Sequence, residues 1–142
     1  MPLPSRRSAR ILAFQILYQR ENLGVFEETE RTLFLFAELK QKHRTFATIL
    51  IENTWENQKN IDQAISSNLS TWRQTRLSNT LNTILRLSTC EILMKELDSK
   101  IIINEAIEIC RHYSDEAATK LCNGVLNSIS KSMNEGRIKA LK

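Results

Sequence analysis

Residues 101–129 restrict the fold more than any other part of the sequence, because they form two amphipathic helical patterns separated by a short polar break. In the first pattern, apolar side chains recur at i, i+3, i+4 and i+7, which is the spacing of one helix face: Ile103, Ala106, Ile107 and Cys110. In the second, a wide apolar stripe lies opposite a polar stripe made of Glu116, Lys120, Asn123 and Asn127. Ser114 is the expected N-cap of the second helix. Gly124 lies inside that helix at a cost of about 1 kcal/mol relative to alanine, so we expect a close backbone approach there.

Helical spacing continues through the rest of the chain and predicts an all-α protein. The 142 residues include three glycines and two prolines, with both prolines among the first four residues, and no alternating strand pattern is present. A chain of this length suits one domain spanning 1–142, with flexible ends at 1–4 and 133–142. Further predicted helices run from about Ser5 or Ser8 to Arg20, over Phe26–Leu39, over Thr45–Leu69 with a weak point at 57–60, and through 77–92.

The start of the first predicted helix is strongly basic, with Arg6, Arg7 and Arg10 and no acidic residue. The helix dipole disfavours cations at this end, so a group outside the helix is expected to favour them, and phosphate is a candidate. Tyr18 is the nearest aromatic side chain that could stack on a base, or it could pack in the core beside Phe14.

No spacing typical of a catalytic or metal site is present, so we expect neither an enzyme nor a cofactor or metal. The two histidines and three cysteines do not provide three converging ligands, and there is no glycine-rich phosphate loop or nucleophile elbow. The odd cysteine count indicates reduced thiols in a cytoplasmic protein. The arginine-rich, acid-free first twenty residues leave a mitochondrial presequence as an alternative location signal.

Several short motifs together resemble, in the same order, those of the NusB family. They extend roughly from Ser5 to Lys131 and comprise Gln15-Ile16-Leu17-Tyr18, Trp72-Arg73, Arg76-Leu77, Ile84-Leu85-Arg86-Leu87, Glu91-Ile92-Leu93, the INEA motif at 103–106 and the NGVL motif at 123–126. The resemblance implies two small helical bundles packed together. It also implies a transcription antitermination factor that binds boxA-type single-stranded RNA with the ribosomal protein NusE. Together they would act on ribosomal RNA transcription as part of the RNA polymerase antitermination complex.

The resemblance also implies where the partners bind. RNA would cross the N-terminal arginines and the last long helix, with contacts from Arg6, Arg7, Arg10, Tyr18, Lys120 and Asn123. For Lys120 and Asn123, the alternative is an ordinary solvated helix face. The NusE surface is hypothesised on the middle helix, between Arg76 and Glu91. The chain departs from the family pattern in having Leu121 and Cys90 in place of aromatic residues, and Leu81 and Asn127 in place of acids.

Arg86 lies within an apolar helical pattern, and a buried guanidinium needs a carboxylate partner. We expect Glu105 to be that partner, in a structural ion pair.

Two other interpretations remain open. The chain could be a stand-alone RNA-binding domain related to the N-terminal part of an rRNA cytosine methyltransferase, or a helical protein–protein adaptor with no RNA role. Phosphate binding weakens with increasing salt, whereas an apolar protein interface does not, so salt dependence separates these alternatives. Some relatives self-associate, and the sequence leaves a homodimer open.

Overall fold

The computed structural model describes residues 5–23, 38–69 and 74–141, and the regular secondary structure of these residues is entirely helical. The predicted all-α class is therefore confirmed. The predicted acidic helix Phe26–Leu39 lies almost wholly outside the described residues, as does the Trp72-Arg73 motif. The described helices are α1 (Arg6–Leu23), α2 (Gln41–Glu56), α3 (Gln58–Ser67), α4 (Asn79–Met94), α5 (Ser99–Tyr113) and α6 (Glu116–Asn134), with a 3-10 turn at Gln74–Arg76.

Local hydrogen bonds explain where these helices begin and end. The long helix predicted over 45–69 is two helices that meet at Asn57, inside the predicted weak point, and the Asn57 side chain donates to the carbonyl of Asn53. At the α5–α6 junction, the prediction that Ser114 caps α6 is wrong. Ser114 is the C-cap of α5, and Asp115 is the N-cap of α6, where its carboxylate accepts a hydrogen bond from the N–H of Ala118 at 2.8 Å. The negative charge of a carboxylate also suits the positive end of the helix dipole.

Helix α4 is the centre of the packing, since it contacts every other described α-helix. Helix α1 packs on both α2 and α4, which explains why its sequence carries apolar residues on two sides. Helices α5 and α6 pack on each other and on α4. Helix α3 contacts α4, and Asn68, which follows α3, accepts hydrogen bonds from Ser128 and Ser132 in the C-terminal half of α6. The helices of the described residues share one contiguous apolar core. Within the described ranges, no helix is both long and apolar enough to cross a membrane.

The three cysteines are free and buried, one in each of α4, α5 and α6. Burial raises the pKa of Cys90 to about 11, although a hydrogen bond with Thr54 opposes this. The thiols of Cys110 and Cys122 interact with each other across the α5–α6 contact, and that interaction, together with burial, raises the pKa of Cys122. These thiols behave as small apolar core groups.

The segment after α6 returns to the domain. The backbone N–H of Leu141 donates to the carbonyl of Leu93 at 2.8 Å, and Ile138 and Leu141 pack against the core. Helix α6 itself continues to Asn134, with Met133 buried. Met133, Ile138 and Leu141 therefore contact the domain, while the flexible end expected at 133–142 stays a prediction.

The predicted ion pair between Arg86 and Glu105 is wrong. Arg86 donates two hydrogen bonds to Asp62 of α3, at 2.7 and 3.1 Å, and one to Glu21 of α1, at 2.9 Å. Glu21 also accepts from the hydroxyl of Thr83 at 2.6 Å. The expectation that Arg86 needs a carboxylate holds, but its partners come from two other helices, so this network joins α1, α3 and α4.

Replacing Arg86 with alanine is expected to destabilise the fold by roughly 3 kcal/mol, because Glu21 would keep its charge at a buried position without a cation. The matched control is Arg111→Ala, which removes an exposed ion pair with Glu108 and should change the free energy of unfolding by about 0.5 kcal/mol or less. Urea unfolding of both variants measures the difference. Equal effects would show that the Arg86 network contributes no more than a surface pair.

Candidate nucleic-acid interface

The three N-terminal arginines of α1 occupy three different environments. Arg6 is exposed, and its guanidinium lies 4.2 Å from the ring centroid of Phe46 on α2. Arg7 is also exposed, and it forms a two-point ion pair with Glu105 on α5, at 2.8 and 3.0 Å. Arg10 points into the protein, where it is 5 % exposed. The arginines that the sequence groups together are therefore not equivalent.

The structure contradicts the predicted roles of Arg10 and Glu91 as surface residues. The Arg10 guanidinium donates to both carboxylate oxygens of Glu91, at 2.8 and 2.6 Å, and both side chains are 6 % exposed. A buried pair of this kind is accessible neither to phosphate nor to a protein partner. Arg10 and Glu91 join α1 to α4. Arg10 lies on the core side of α1, three residues before buried Ala13, and this spacing is the signal in the sequence for its burial.

A second basic segment meets Arg6 at the start of α2. Lys40, Lys42 and His43 lie there, and the two lysines are exposed. Burial lowers the pKa of His43 below its ordinary value, and the positive charges of Lys42, Arg6 and Lys40 lower it further. These residues were not among the predicted contacts. The signal that could have found them is the acid-free run at 40–44, which repeats the pattern of cations at a helix start seen in α1.

From Arg7, charged side chains continue along the exposed side of α5 to the start of α6. The hydrogen bonds and negative charge of Glu105 raise the pKa of Arg7, and the nearby charge of Glu108 raises it further. Glu108 also accepts a hydrogen bond from Arg111 at 2.7 Å. Arg111 and Lys120 then line one surface cavity of about 430 Å³. The structure thus connects Arg7 with Lys120, although acidic residues alternate with the bases.

The polar face of α6 is open. Lys120 and Asn123 are exposed, as predicted for RNA contacts, and Lys120 lies 3.8 Å from Glu116 of the same helix. Gly124 is exposed as well, and a Cβ atom built on it would meet no atom within 4 Å. The expectation that Gly124 allows a close approach within the chain is therefore wrong for the described residues. Leu121 is partly buried against the core.

Tyr18 and Arg76 differ in their exposure. Tyr18 is partly buried against the core, with its ring 6.1 Å from that of Phe14, so the packing alternative is observed. Arg76 is exposed at the end of the 3-10 turn, where a protein partner could reach it.

Sequence comparison decides the family. The NusB family model matches residues 7–131. The chain belongs to the NusB family. The chain is 37 % identical over 131 residues to the transcription antitermination protein NusB of Sulfurimonas denitrificans, covering 91 % of this chain and 98 % of that protein. It is 36 % identical over 132 residues to the protein of the same name from Bacillus mycoides, covering 90 % and 98 %.

Solved NusB structures share this fold. T. maritima NusB superposes with a TM-score of 0.82 at 30 % identity, covering 99 % of this chain and 96 % of that one. A chain in the crystal structure of the antitermination factors NusB and NusE with double-stranded RNA gives a TM-score of 0.76 at 27 % identity, covering 89 % and 96 %. The names of the NusB relatives describe a transcription factor, which agrees with the prediction of a non-enzyme. In the part of the chain that the structure describes, no three His, Cys, Asp or Glu side chains form a group suited to a metal ion.

The Arg7–Glu105 pair makes a pH-dependent contribution to the stability of this NusB-family protein. The hydrogen bonds from Arg7 lower the pKa of Glu105, although partial burial opposes them. The stabilisation is therefore complete above the ordinary carboxyl pKa of 4.5 and is lost as the pH falls through the lower folded-state value. We expect Glu105→Gln to lower the melting temperature slightly at pH 7, with the difference between the two proteins shrinking as the pH falls below 4.5. A constant difference across this range would contradict the assignment.

Proposed function

We propose that this protein is a transcription antitermination factor that binds boxA-type single-stranded RNA together with NusE, in support of ribosomal RNA transcription. The observation that carries the proposal is the meeting of Arg6 with the basic start of α2, next to the exposed Arg7. The names of the matching NusB relatives support the antitermination role, and the NusB–NusE complex with double-stranded RNA supports RNA and NusE as partners.

The proposed RNA surface is defined by Arg6, Arg7, Lys40, Lys42 and His43, and we call it the basic end. Cations placed at the starts of two neighbouring helices do not stabilise those helices, whereas phosphate would be attracted both by the side chains and by the free N–H groups there. From the basic end, the exposed side of α5 leads to Lys120 and Asn123 on α6. Phosphates would bind at the basic end, and bases would meet the polar face of α6.

The acidic residues along this path limit how tightly RNA binds. Arg7, Arg111 and Lys120 lie beside Glu105, Glu108 and Glu116. A phosphate must compete with these carboxylates for the same cations, so part of the Coulomb attraction is already used within the protein. A partner that adds contacts to the same RNA would overcome this limit, which gives NusE a physical role.

The NusE surface is proposed at the exposed end of the middle region, around Arg76. Glu91 is excluded because it is buried with Arg10. Tyr18 is only partly buried and stays a proposed stacking contact for RNA. A cytoplasmic location and attachment to RNA polymerase through NusE remain parts of the proposal that follow from the family, which also allows a homodimer.

Fluorescence anisotropy of a boxA-like RNA, measured with and without NusE, tests the proposal. The variant R6A/R7A/K42A is compared with K59A/K100A/K139A, which removes the same charge from exposed positions outside the basic end. Losing three phosphate contacts should reduce the slope of log K against log salt by about 2, since each contact to a single strand contributes about 0.7. The control should keep the slope of the unaltered protein.

Two results would contradict the proposal. If both triple variants weaken binding equally, the attraction is due to net charge, and the basic end is not the site. If the folded protein binds NusE but no RNA, and salt does not weaken that binding, the protein is an adaptor.

A further inference from the structure

We propose that Asn127 holds the side-chain amide of Asn123 in one orientation, so that α6 presents N–H donors to RNA. This arrangement selects bases with a keto oxygen at the contact, uracil or guanine, over cytosine or adenine. The inference rests on the proposed RNA-binding function and names a residue that determines base preference within it. Asn127 acts as a positioning residue, because its contribution passes through Asn123.

The hydrogen bonds of Asn127 determine both amide orientations. One nitrogen, Nδ2 of Asn127, donates to the backbone carbonyl of Asn123 at 2.8 Å and to Oδ1 of the same residue at 2.9 Å. A backbone carbonyl can only accept, so the atom of Asn127 that approaches it must be the NH₂ group. That NH₂ group can bond Asn123 only through an acceptor, which must be Oδ1. The remaining group of Asn123, its own NH₂, is therefore the one directed away from Asn127.

The surface around this amide has room for a nucleotide. Lys120, Asn123, Gly124 and Asn127 are exposed and follow the i, i+3, i+4, i+7 spacing of one helix face. Gly124 adds no side chain between them, and the space beside it is open within the described chain. An exposed glycine inside a helix reduces stability without any internal contact to explain it. Close approach of a ribose or base to the α6 backbone would explain it, with Lys120 one turn away for a phosphate.

The orientation of the Asn123 amide decides which base edge it can bind. Uracil O4 and guanine O6 accept hydrogen bonds, whereas the amino groups at the same places on cytosine and adenine donate them. An outward NH₂ group can donate to the oxygen of uracil or guanine, whereas on cytosine or adenine it faces another donor. A carboxylate at position 127 could no longer donate to Oδ1, and it would instead accept from the NH₂ of Asn123. The amide would then rotate and present its oxygen outward.

The test compares N127D with N134D. Both variants place the same new charge on α6, but Asn134 lies two turns further on, at the exposed end of the helix. Dissociation constants are measured for a short single-stranded RNA and for a set in which each uracil is changed to cytosine and each guanine to adenine. At one position the unaltered protein should prefer the keto base by about threefold to tenfold. N127D should abolish or reverse that preference, N123A should abolish it, and N134D should retain it.

Other outcomes overturn the inference. If N127D and N134D weaken binding to all the RNAs alike, the effect is due to charge alone, and the amide does not select the base. If N127D keeps the preference of the unaltered protein, Asn127 does not position Asn123. If the unaltered protein binds none of the RNAs, the proposed function fails and this assignment fails with it. Saturable binding without base preference at any position overturns only the assignment.

Gly124→Ala tests the close approach separately. The new methyl group meets no atom of the described chain, so the variant should fold and melt at a higher temperature. It should also bind every RNA of the set several-fold more weakly. A higher melting temperature with unchanged affinity would show that the nucleotide does not come near the α6 backbone.

Discussion

Two guanidinium groups, the buried one of Arg10 and the partly buried one of Arg86, constrain this fold because each requires a carboxylate in a defined place. Arg10 of α1 binds Glu91 of α4, while Glu21 of α1 binds Arg86 of α4. The charges are thus reversed between the two ends of the α1–α4 contact. A parallel arrangement would bring arginine to arginine and glutamate to glutamate, which the low-dielectric interior strongly disfavours. This charge order favours the antiparallel direction of two helices that more than fifty residues separate.

The apolar pattern was enough to predict the class of fold and much of its internal order. The break at Asn57 and the two-sided packing of α1 could be predicted because both depend on local sequence. The partner of Arg86 could not be predicted, because it depends on how helices distant in sequence cross. Glu105 appeared suitable for Arg86, yet it binds Arg7 on the surface.

The candidate site shows the same limit. Arg6 and Arg7 could be predicted as exposed cations from their place at the start of a helix. The burial of Arg10 could have been predicted from helical spacing, since Ala13 and Leu17 lie on the same side of the helix and are buried. The proximity of Arg6 to Lys42 and His43 could not be predicted from the sequence, because it arises from the parallel packing of α1 and α2. The motifs were enough to identify the family. Which residues form the candidate surface could be established only from the packing of the helices.

The three buried cysteines give the protein internal reporters of local opening. Only a thiolate reacts rapidly with disulfide or alkylating reagents, and a buried thiol must first reach water. Cys90 lies in the central helix, whereas Cys110 and Cys122 lie on the two sides of the α5–α6 contact. The rate at which each reacts therefore measures how often its own interface separates. In one unaltered chain, thiol labelling would distinguish motion of the helices that carry the proposed base contacts from unfolding of the core.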